Sequence, residues 1–225
     1  MNKVLVIAVH PDDETLGCGG TLLKHKANGD EIYWLIVTTI KNGYRDWDLG
    51  FSEEMTKKRE EEIKKVSEMY NFNDIFRLEF PTMRIDEISM SELIGNISKV
   101  FNDIKPNIIY LPFKNDVHSD HRKVFEASYS CTKIFRYNFI KKIYMMETLS
   151  ETDFADITNS FISNVFIDIS DFFYKKLEIM RIYESEIGKH PFPRSLETIE
   201  ALAKIRGAQG GCKYAESFML LKEIN

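Results

Sequence analysis

The order of strand-like and helix-like segments constrains the fold of this chain more than any other feature of its sequence. Apolar runs of strand length, rich in β-branched residues, alternate with longer segments of helical character through the first two-thirds of the chain. Runs without polar positions are typical of strands buried on both faces of a parallel sheet. The alternation therefore predicts an α/β fold with a doubly wound, Rossmann-like, mostly parallel sheet, helices on both faces and right-handed crossovers.

Capping and turn residues place the boundaries of these segments. Ser52 and Ser89 stand where a hydroxyl would cap a helix, and Glu92 completes the S-x-x-E pattern that often opens one. We predict strands at residues 4–9, 32–40, 75–80, 107–111, 142–146, 165–169 and 214–221. We predict helices at residues 15–28, 52–70, 89–104, 170–187 and 195–206, and one more that follows the loop after residue 112 and ends near residue 137.

Length and charge exclude several classes of protein. The 225 residues fit one domain spanning 1–225, which is long enough to bury a core without a disulfide or a structural metal. The net charge of −5 argues against a nucleic-acid partner, since proteins that bind phosphate backbones usually carry a basic excess. No apolar run reaches the roughly 18 residues of a membrane span, so we predict none.

The cysteines and the first residues of the chain indicate its compartment. Cys18, Cys131 and Cys212 are odd in number and widely spaced, which favours neither a disulfide framework nor a zinc ribbon. The apolar run before His10 is too short for the core of a secretory signal. We therefore expect a cytoplasmic protein with reduced thiols.

Two clusters of histidine and aspartate follow strands of the predicted sheet. One is the sequence HPDDE at residues 10–14, and the other is HSDH at residues 118–121, in the loop after the strand that ends at residue 111. In doubly wound sheets, ligands bind beyond the carboxyl ends of the strands. Imidazole nitrogens and carboxylate oxygens are the ligands of catalytic zinc, so the two clusters predict a metal site at this edge.

These motifs resemble those of a known family. The segment AVHPDDE at residues 8–14 is similar to the A-H-P-D-D-E signature of the PIG-L/LmbE-like de-N-acetylases, with Val9 interposed. The segment HSDH matches the H-x-D-H signature of that family, and Arg59 and Glu62 match its R-x-x-E pair. The segment RGAQGGCKYAESF at residues 206–218 resembles the family's closing region, so the similarity covers nearly the whole chain.

The resemblance implies a metal-dependent hydrolase that removes the N-acetyl group from an N-acetylated amino sugar or its conjugate, of the N-acetylglucosaminyl or nucleotide-sugar type. It assigns the zinc ligands as His10, Asp13 and His121. It makes Asp12 the general base, His118 the stabiliser of the oxyanion, and Asp120 the residue that orients His118. Iron would also accept two imidazoles and one carboxylate. The resemblance also points to a homo-oligomer, a trimer or a hexamer.

Four further side chains are candidates for substrate contacts, and each has a structural alternative. Arg59 either faces the substrate or forms an ordinary surface pair with Glu62. Tyr44 and Arg45 either contact the sugar or belong to a lid that makes no direct contact. Arg194 either binds an anionic part of the substrate or only forms part of a proline-rich turn. We expect substrate selectivity to reside in residues 41–51, 81–87 and 188–194.

Other residues near the motifs have structural explanations. Glu14 either gains from the dipole of the helix that follows or supports the site from behind. Gly17, Gly19 and Gly20 lack the spacing of a dinucleotide motif, and we expect them to allow close packing of the helix on the sheet. We expect His25 on a helix surface.

Two other functions fit the same residues. Histidine and aspartate clusters also serve metal-dependent phosphoesterases, which commonly hold two metals about 4 Å apart, although this sequence offers one compact ligand set. A non-catalytic module on the same fold would bind carbohydrate or metal without turnover. The number of metal ions per chain and the release of acetate distinguish these functions from deacetylation.

Overall fold

Seven strands form one sheet in the computed structural model, which describes all residues from Met1 to Asn225. The strands are β1 (Lys3–Ala8), β2 (Glu31–Thr39), β3 (Asp74–Pro81), β4 (Ile108–Leu111), β5 (Lys142–Met146), β6 (Val165–Asp168) and β7 (Ala215–Glu223). The helices are α1 (Asp13–Ala27), α2 (Glu53–Tyr70), α3 (Met90–Ile104), α4 (Ser119–Ser130), α5 (Phe173–Met180) and α6 (Leu196–Gly210).

The strand order in the sheet is β3-β2-β1-β4-β5-β7-β6. Strands β1 to β5 pair in parallel, whereas β7 is antiparallel to both β5 and β6. The chain starts at β1, adds β2 and β3 on one side, and then returns to place β4 on the other side of β1. A doubly wound sheet binds ligands at such a reversal, beyond the carboxyl ends of the strands. The predicted α/β class with a mostly parallel sheet is confirmed.

Alternate residues of β1 point into two separate apolar cores. Val4 and Val6 join the core beneath α1, α2, α5 and α6, whereas Leu5 and Ile7 join the core beneath α3 and α4. Each of these side chains is fully buried, and full burial of such a side chain is worth about 1.5–3 kcal/mol. Helices therefore cover both faces, as predicted. None of the helices combines the length and the apolar character that a bilayer crossing requires.

Serine side chains open three of the helices. The hydroxyls of Ser52 and Ser89 accept hydrogen bonds from the backbone N–H groups of Met55 and Glu92, at 3.1 and 3.2 Å. Both predicted caps are therefore confirmed. Ser195 caps α6 in the same way, through the N–H of Thr198.

Two predicted helices are shorter than expected. Helix α4 ends at Ser130, not near residue 137, because the chain turns at Thr132 and again at Lys133 and so brings Tyr137 back into the second core. Helix α5 covers only 173–180 of the predicted 170–187. The residues after it form turns that bury Tyr183. Helix α6 runs four residues beyond its predicted end and stops where Gly211 adopts a φ of 73°.

Helix α1 is broken at Cys18, whose φ of −148° and ψ of 22° are not helical. The carboxylate of Glu216 in β7 accepts the N–H groups of Gly20 and Thr21 just beyond the break, at 2.8 and 2.7 Å. The ammonium of Lys176 in α5 contacts the same carboxylate at 2.7 Å and donates to the carbonyl of Leu16 at 2.9 Å. A buried ion pair therefore satisfies the backbone groups that the break exposes.

His25 lies inside the molecule, so its predicted place on a helix surface is wrong. Its Nδ1 is 2.8 Å from a carboxylate oxygen of Asp30, and its Nε2 is 3.0 Å from the hydroxyl of Tyr110. Only 15% of the side chain is exposed. Nothing in the sequence around His25 indicated these two partners. Asp30 lies in the turn after α1, and Tyr110 lies in β4.

The glycines of α1 allow the close packing that their spacing suggested. A Cβ at Gly17 would lie 2.9 Å from the Cβ of Met146 in β5, and one at Gly20 would lie 2.8 Å from the Cβ of Ile169. A Cβ at Gly19 would meet the hydroxyl of Tyr70 at 2.4 Å. Larger residues at these positions would force α1 away from its neighbours.

A glycine-to-alanine pair tests this packing. We expect Gly20→Ala to lower the free energy of unfolding by about 1–3 kcal/mol, because the new methyl group overlaps Ile169. Gly95→Ala in α3 is the control, since its Cβ would meet nothing within 4 Å, and it should raise stability by about 0.5–1 kcal/mol. Urea unfolding of both variants measures the difference. Equal stability of the Gly20 variant and the wild type would contradict the packing argument.

Candidate functional site

A cleft of about 380 Å³ opens beyond the carboxyl ends of the parallel strands. This volume lies within the range of ordinary ligand sites. Its wall combines segments that follow β1, β2, β3, β4 and β5 with the first half of α2 and the turns between α5 and α6. The histidines and charged side chains of the wall are His10, Asp12, Asp13, Arg59, Glu60, Arg77, His118, Glu151, Glu186 and Arg194.

Three side chains converge on one point at the bottom of the cleft. The Nδ1 of His10 and the Oδ2 of Asp13 lie 3.9 Å apart, and each is 3.3 Å from the Nε2 of His121. Ligands at 2.0–2.2 Å from a tetrahedral ion are roughly 3.3–3.6 Å from one another. The three atoms are therefore spaced to hold one metal ion, and a fourth position remains for water or substrate.

A carboxylate behind each histidine fixes the direction in which its lone pair points. The Nδ1 of His121 is 2.8 Å from Asp116, and the Nε2 of His10 is 3.3 Å from Asp120. Each outer nitrogen therefore donates its hydrogen, and each inner nitrogen presents a lone pair to the common centre. Metal-binding histidines commonly have such a carboxylate partner. The chemistry of the donor set therefore fits a divalent metal.

The charges around His121 also favour a cation at this centre. Burial lowers the pKa of His121, but the nearby charges of Asp13 and Asp116 outweigh it and raise the pKa well above its usual value. The charge and the hydrogen bond of His121 hold the pKa of Asp13 well below its usual value, against the effect of burial. A metal ion at this centre would take the place of the proton that His121 holds between its Nε2 and Asp13, since either one compensates the buried carboxylates.

Asp116 was absent from the residues selected in the sequence. Its carboxylate is completely buried, and it also accepts a hydrogen bond from Thr152 at 2.7 Å. The signal that could have revealed it is its position five residues before His121, in the loop that leads into α4. Because a metal-binding histidine needs an acceptor for its second nitrogen, any aspartate in that loop was a candidate.

Asp120 differs from its predicted role in one respect. Its carboxylate accepts the backbone N–H groups of Met83 and Ile85, at 2.7 and 3.3 Å, and faces His10. It therefore does not orient His118 through its side chain. Instead, the backbone N–H of Asp120 donates to the Nδ1 of His118 at 3.1 Å.

His118 is held neutral, with its hydrogen on Nε2. Burial and the charge of His10 lower its pKa to about 4. Its Nδ1 accepts the N–H of Asp120, so the hydrogen of the neutral ring must be on the other nitrogen. His118 also lines the cleft, which makes this N–H a hydrogen-bond donor to a bound ligand.

Asp12 has a strained backbone, with a φ of 136° and a ψ of −27°. Such a conformation persists only when the surroundings hold it. The buried carboxylate of Glu14 accepts the N–H of Asp12 at 3.1 Å and hydrogen bonds from Thr15 and Tyr183. Burial raises the pKa of Glu14 to about 7. Glu14 therefore supports the Asp12 backbone from behind, which is the second of its two predicted roles.

The carboxylate of Asp12 lies in the wall of the cleft beside Arg194, at 3.3 Å. Burial and the charges of Asp13 and Glu186 raise the pKa of Asp12 well above its usual value, and Arg194 opposes them. A carboxylate with a raised pKa takes up a proton more readily near neutral pH, which suits a general base.

Arg59 is not a surface residue, so its alternative as an ordinary surface pair is wrong. Its side chain is 14% exposed, and that of Glu62 is 5% exposed. Arg59 donates to the carbonyl of Pro11 at 2.8 Å and to Glu186. Glu186 also contacts Arg194 at 3.3 Å, and it was missed because nothing in its local sequence marks it.

Tyr44 and Arg45 do not reach the wall of the cleft. The hydroxyl of Tyr44 donates to Glu92 at 3.0 Å, and its ring packs against Phe80 and Trp47. Arg45 pairs with Glu92 at 2.5 Å. The loop from 41 to 51 therefore rests on α3, and of its residues only Phe51 lines the cleft.

Comparisons with known proteins assign the chain to a family. The model of the PIG-L family, described as GlcNAc-PI de-N-acetylase, matches residues 5–132. The chain belongs to the PIG-L family. It is 25% identical over 232 residues to the diacetylchitobiose deacetylase of Thermococcus kodakarensis, which covers 100% of this chain and 85% of that protein. Membership of the PIG-L family supports a hydrolytic N-deacetylase.

Solved structures show the same fold. The N,N'-diacetylchitobiose deacetylase of Pyrococcus horikoshii superposes with a TM-score of 0.75 at 21% identity, over 98% of this chain and 84% of that one. GalB, the 4-carboxy-2-hydroxymuconate hydratase of Pseudomonas putida KT2440, superposes with a TM-score of 0.77 at 13% identity, over 100% and 98% of the two chains.

The PIG-L match includes the metal-site residues but not the whole cleft. His10, Asp13, Asp116 and His121 lie within residues 5–132, whereas Glu186 and Arg194 follow them by more than 50 positions. The part of the wall contributed by residues after α5 therefore lies outside the segment that matches the family model.

Removal of the carboxylate behind His121 should weaken metal binding. We expect Asp116→Ala to lower the affinity for a divalent metal by about 10–100-fold, because His121 loses the acceptor that orients it. Asp103→Ala on the exposed face of α3 is the control and should bind metal like the wild type. Competition with a metal-binding indicator measures both. An unchanged affinity in the Asp116 variant would remove this residue from the metal site.

Proposed function

We propose that this PIG-L family protein is a zinc-dependent hydrolase that removes the N-acetyl group from an N-acetylated amino sugar or its conjugate. The observation that carries the proposal is the convergence of two oriented imidazoles and one carboxylate beside the cleft. The relative from Thermococcus kodakarensis is a diacetylchitobiose deacetylase, which supports a sugar substrate. Zinc is the metal that this donor set suits best, and iron is the alternative.

The setting of the enzyme belongs to the same proposal. The whole chain, 1–225, acts as one deacetylase domain. Its three free cysteines suit a reducing cytoplasm, where thiols stay reduced. A trimer or a hexamer is the assembly that the family resemblance implies.

Hydrolysis of an acetamide needs a nucleophile, a proton carrier and a group that stabilises the oxyanion. His10, Asp13 and His121 would hold the metal, which would lower the pKa of a bound water molecule to about 7. Asp12 accepts the proton of the attacking water and returns it to the leaving nitrogen. The immediate products are acetic acid and the free amine, so Asp12 gives back the proton that it took up, and at neutral pH the acid then loses its own proton to the amine or to solvent.

His118 stabilises the negative charge that develops on the acetyl oxygen. Its neutral ring donates the Nε2 hydrogen, because Nδ1 already accepts the N–H of Asp120. A donor that is fixed before the reaction costs little reorganisation when the charge appears. Arg194 and Arg59 surround Asp12 and Pro11 and hold this side of the cleft in place.

The phosphoesterase alternative is less well supported by the geometry. A second group of potential ligands, His10, His118 and Asp120, lies within reach of a second ion. However, the carboxylate of Asp120 already accepts two backbone N–H groups, and His118 already accepts one at Nδ1. Two-metal phosphoesterases hold two metal ions about 3.5–4 Å apart, and each ion needs its own full set of ligands. The chain offers one, so we expect one metal ion per chain.

Asp12→Asn tests the general base. We expect kcat for acetate release to fall by about 10²–10⁴-fold, because an amide cannot accept the proton of water. Metal per chain, measured by elemental analysis, should not change. His121→Ala is the companion variant and should lose most of its metal along with its activity. Acetate release by the Asp12 variant within a few-fold of the wild type would refute the assignment, and a metal-loaded wild type without any turnover would favour the binding module.

His118→Ala tests the oxyanion donor. We expect kcat to fall by about 10²–10³-fold with little change in KM, because the lost N–H acts mainly in the transition state. His118→Gln keeps an N–H donor and should lose less activity. Steady-state acetate release with the same substrate measures all three proteins. A fall in substrate affinity at constant kcat would instead make His118 a substrate-binding residue.

A further inference from the structure

Every cationic side chain in the wall of the cleft is already paired. The wall contains no lysine, and its arginines are Arg59, Arg77 and Arg194. Each contacts at least one carboxylate within 3.3 Å. An anionic group on a substrate would therefore have to displace a carboxylate of the protein in order to reach a guanidinium.

Arg77 makes a two-point contact with a single carboxylate. Its two terminal nitrogens donate to the two oxygens of Glu60, at 2.5 and 2.7 Å, in a bidentate pair. Lys41 lies 3.4 Å from Glu60 and 2.8 Å from Glu79. Glu60 therefore occupies the pair of Arg77 N–H donors that a substrate carboxylate or phosphate would otherwise bind.

Arg59 and Arg194 share Glu186 on the opposite side. Arg59 also contacts Glu62 at 3.1 Å, and Arg194 also contacts Asp12 at 3.3 Å. The Nε atoms of Arg77 and Arg194 have no partner, but both are buried away from a ligand in the cleft. Each of the three guanidinium groups therefore already has a carboxylate partner.

Carboxylates outnumber guanidinium groups in the same wall. The five acids are Asp12, Asp13, Glu60, Glu151 and Glu186, against three arginines. A divalent ion beside Asp13 would bring the net charge of these groups to zero, without any excess of positive charge. A buried or half-buried charge without a partner is unfavourable, so a neutral ligand is the complement of this wall.

We propose that the cleft selects an uncharged N-acetylated saccharide and rejects one that carries a carboxylate, phosphate or sulfate near the acetamide. This inference rests on the proposed deacetylation and adds the substrate class. Sugar hydroxyls can donate hydrogen bonds to Glu60, Glu151 and Glu186 without breaking an ion pair. Arg194, predicted as a partner for an anionic part of the substrate, instead neutralises Asp12 and Glu186.

A pair of substrates that differ in one group provides the test. N,N'-diacetylchitobiose reduced at its free end gives a neutral alditol, and oxidised at the same carbon it gives the corresponding aldonate. The two open-chain compounds have the same length and differ only in CH₂OH against carboxylate. With the metal-loaded wild type, we expect kcat/KM for acetate release to be at least about tenfold higher for the alditol.

A charge variant should reverse part of this preference. Glu60→Gln leaves Arg77 and Lys41 facing a single carboxylate, Glu79, and should raise the relative kcat/KM of the aldonate several-fold. Glu68→Gln is the matched control, because it removes the same charge from the exposed last turn of α2. It should leave the ratio of the two substrates unchanged. An equal shift in both variants would show a general charge effect and overturn the role of the Arg77–Glu60 pair.

Binding separates this proposal from the proposed activity. If neither compound releases acetate, the deacetylase assignment for these sugars fails, and calorimetric binding to the metal-loaded wild type decides the charge preference alone. Tighter binding of the alditol supports the proposal. Equal turnover, preference for the aldonate, or binding of neither compound overturns it, while equal turnover would leave the deacetylase assignment intact.

Discussion

Parallel pairing of β1 with both β2 and β4 is the constraint on which the rest of the structure depends. The chain extends the sheet in one direction through β2 and β3 and then in the other through β4 and β5. The connections that follow β1 and β4 therefore diverge, and a crevice forms beyond the carboxyl ends of these two neighbouring strands. His10 comes from the loop after β1 and Asp13 from the start of α1, whereas His121 comes from the start of α4. Without this reversal, the three ligand atoms would not meet.

The fold alone does not determine the reaction. GalB superposes on this chain with a TM-score of 0.77, yet it is a hydratase, and the diacetylchitobiose deacetylase of Pyrococcus horikoshii superposes equally well. Shared folds commonly carry unrelated chemistry. The proposed deacetylation therefore depends on particular side chains, above all on the carboxylates that direct the lone pairs of His10 and His121 inwards.

The sequence was sufficient for those features that depend on local pattern. Apolar runs predicted the strands because a strand buried on both faces has no polar position, and Ser52 and Ser89 marked helix starts because their caps bond three residues ahead. The two histidine–aspartate clusters predicted a metal site because the strand ends of a parallel sheet share one edge. Each of these inferences needed only neighbours in the chain and one rule of topology.

The features that the sequence did not reveal depend on contacts between distant residues. Glu186 approaches Arg59 across 127 positions, and it lies in turns where a continuous helix was expected. The loop that carries Tyr44 and Arg45 follows β2 as predicted, but Glu92 draws both side chains onto α3. Periodicity locates an element, whereas the direction of a loop is determined by partners that periodicity does not identify.

The break in α1 has a consequence for the order in which the protein matures. The turn that begins with Asp13 leaves the ribosome long before Glu216, which holds the N–H groups beyond the break. Synthesis is slow compared with the formation of a helix. The part of α1 beyond the break therefore lacks its carboxylate acceptor until β7 inserts between β5 and β6, and a nascent chain that stops before residue 216 does not have this anchor.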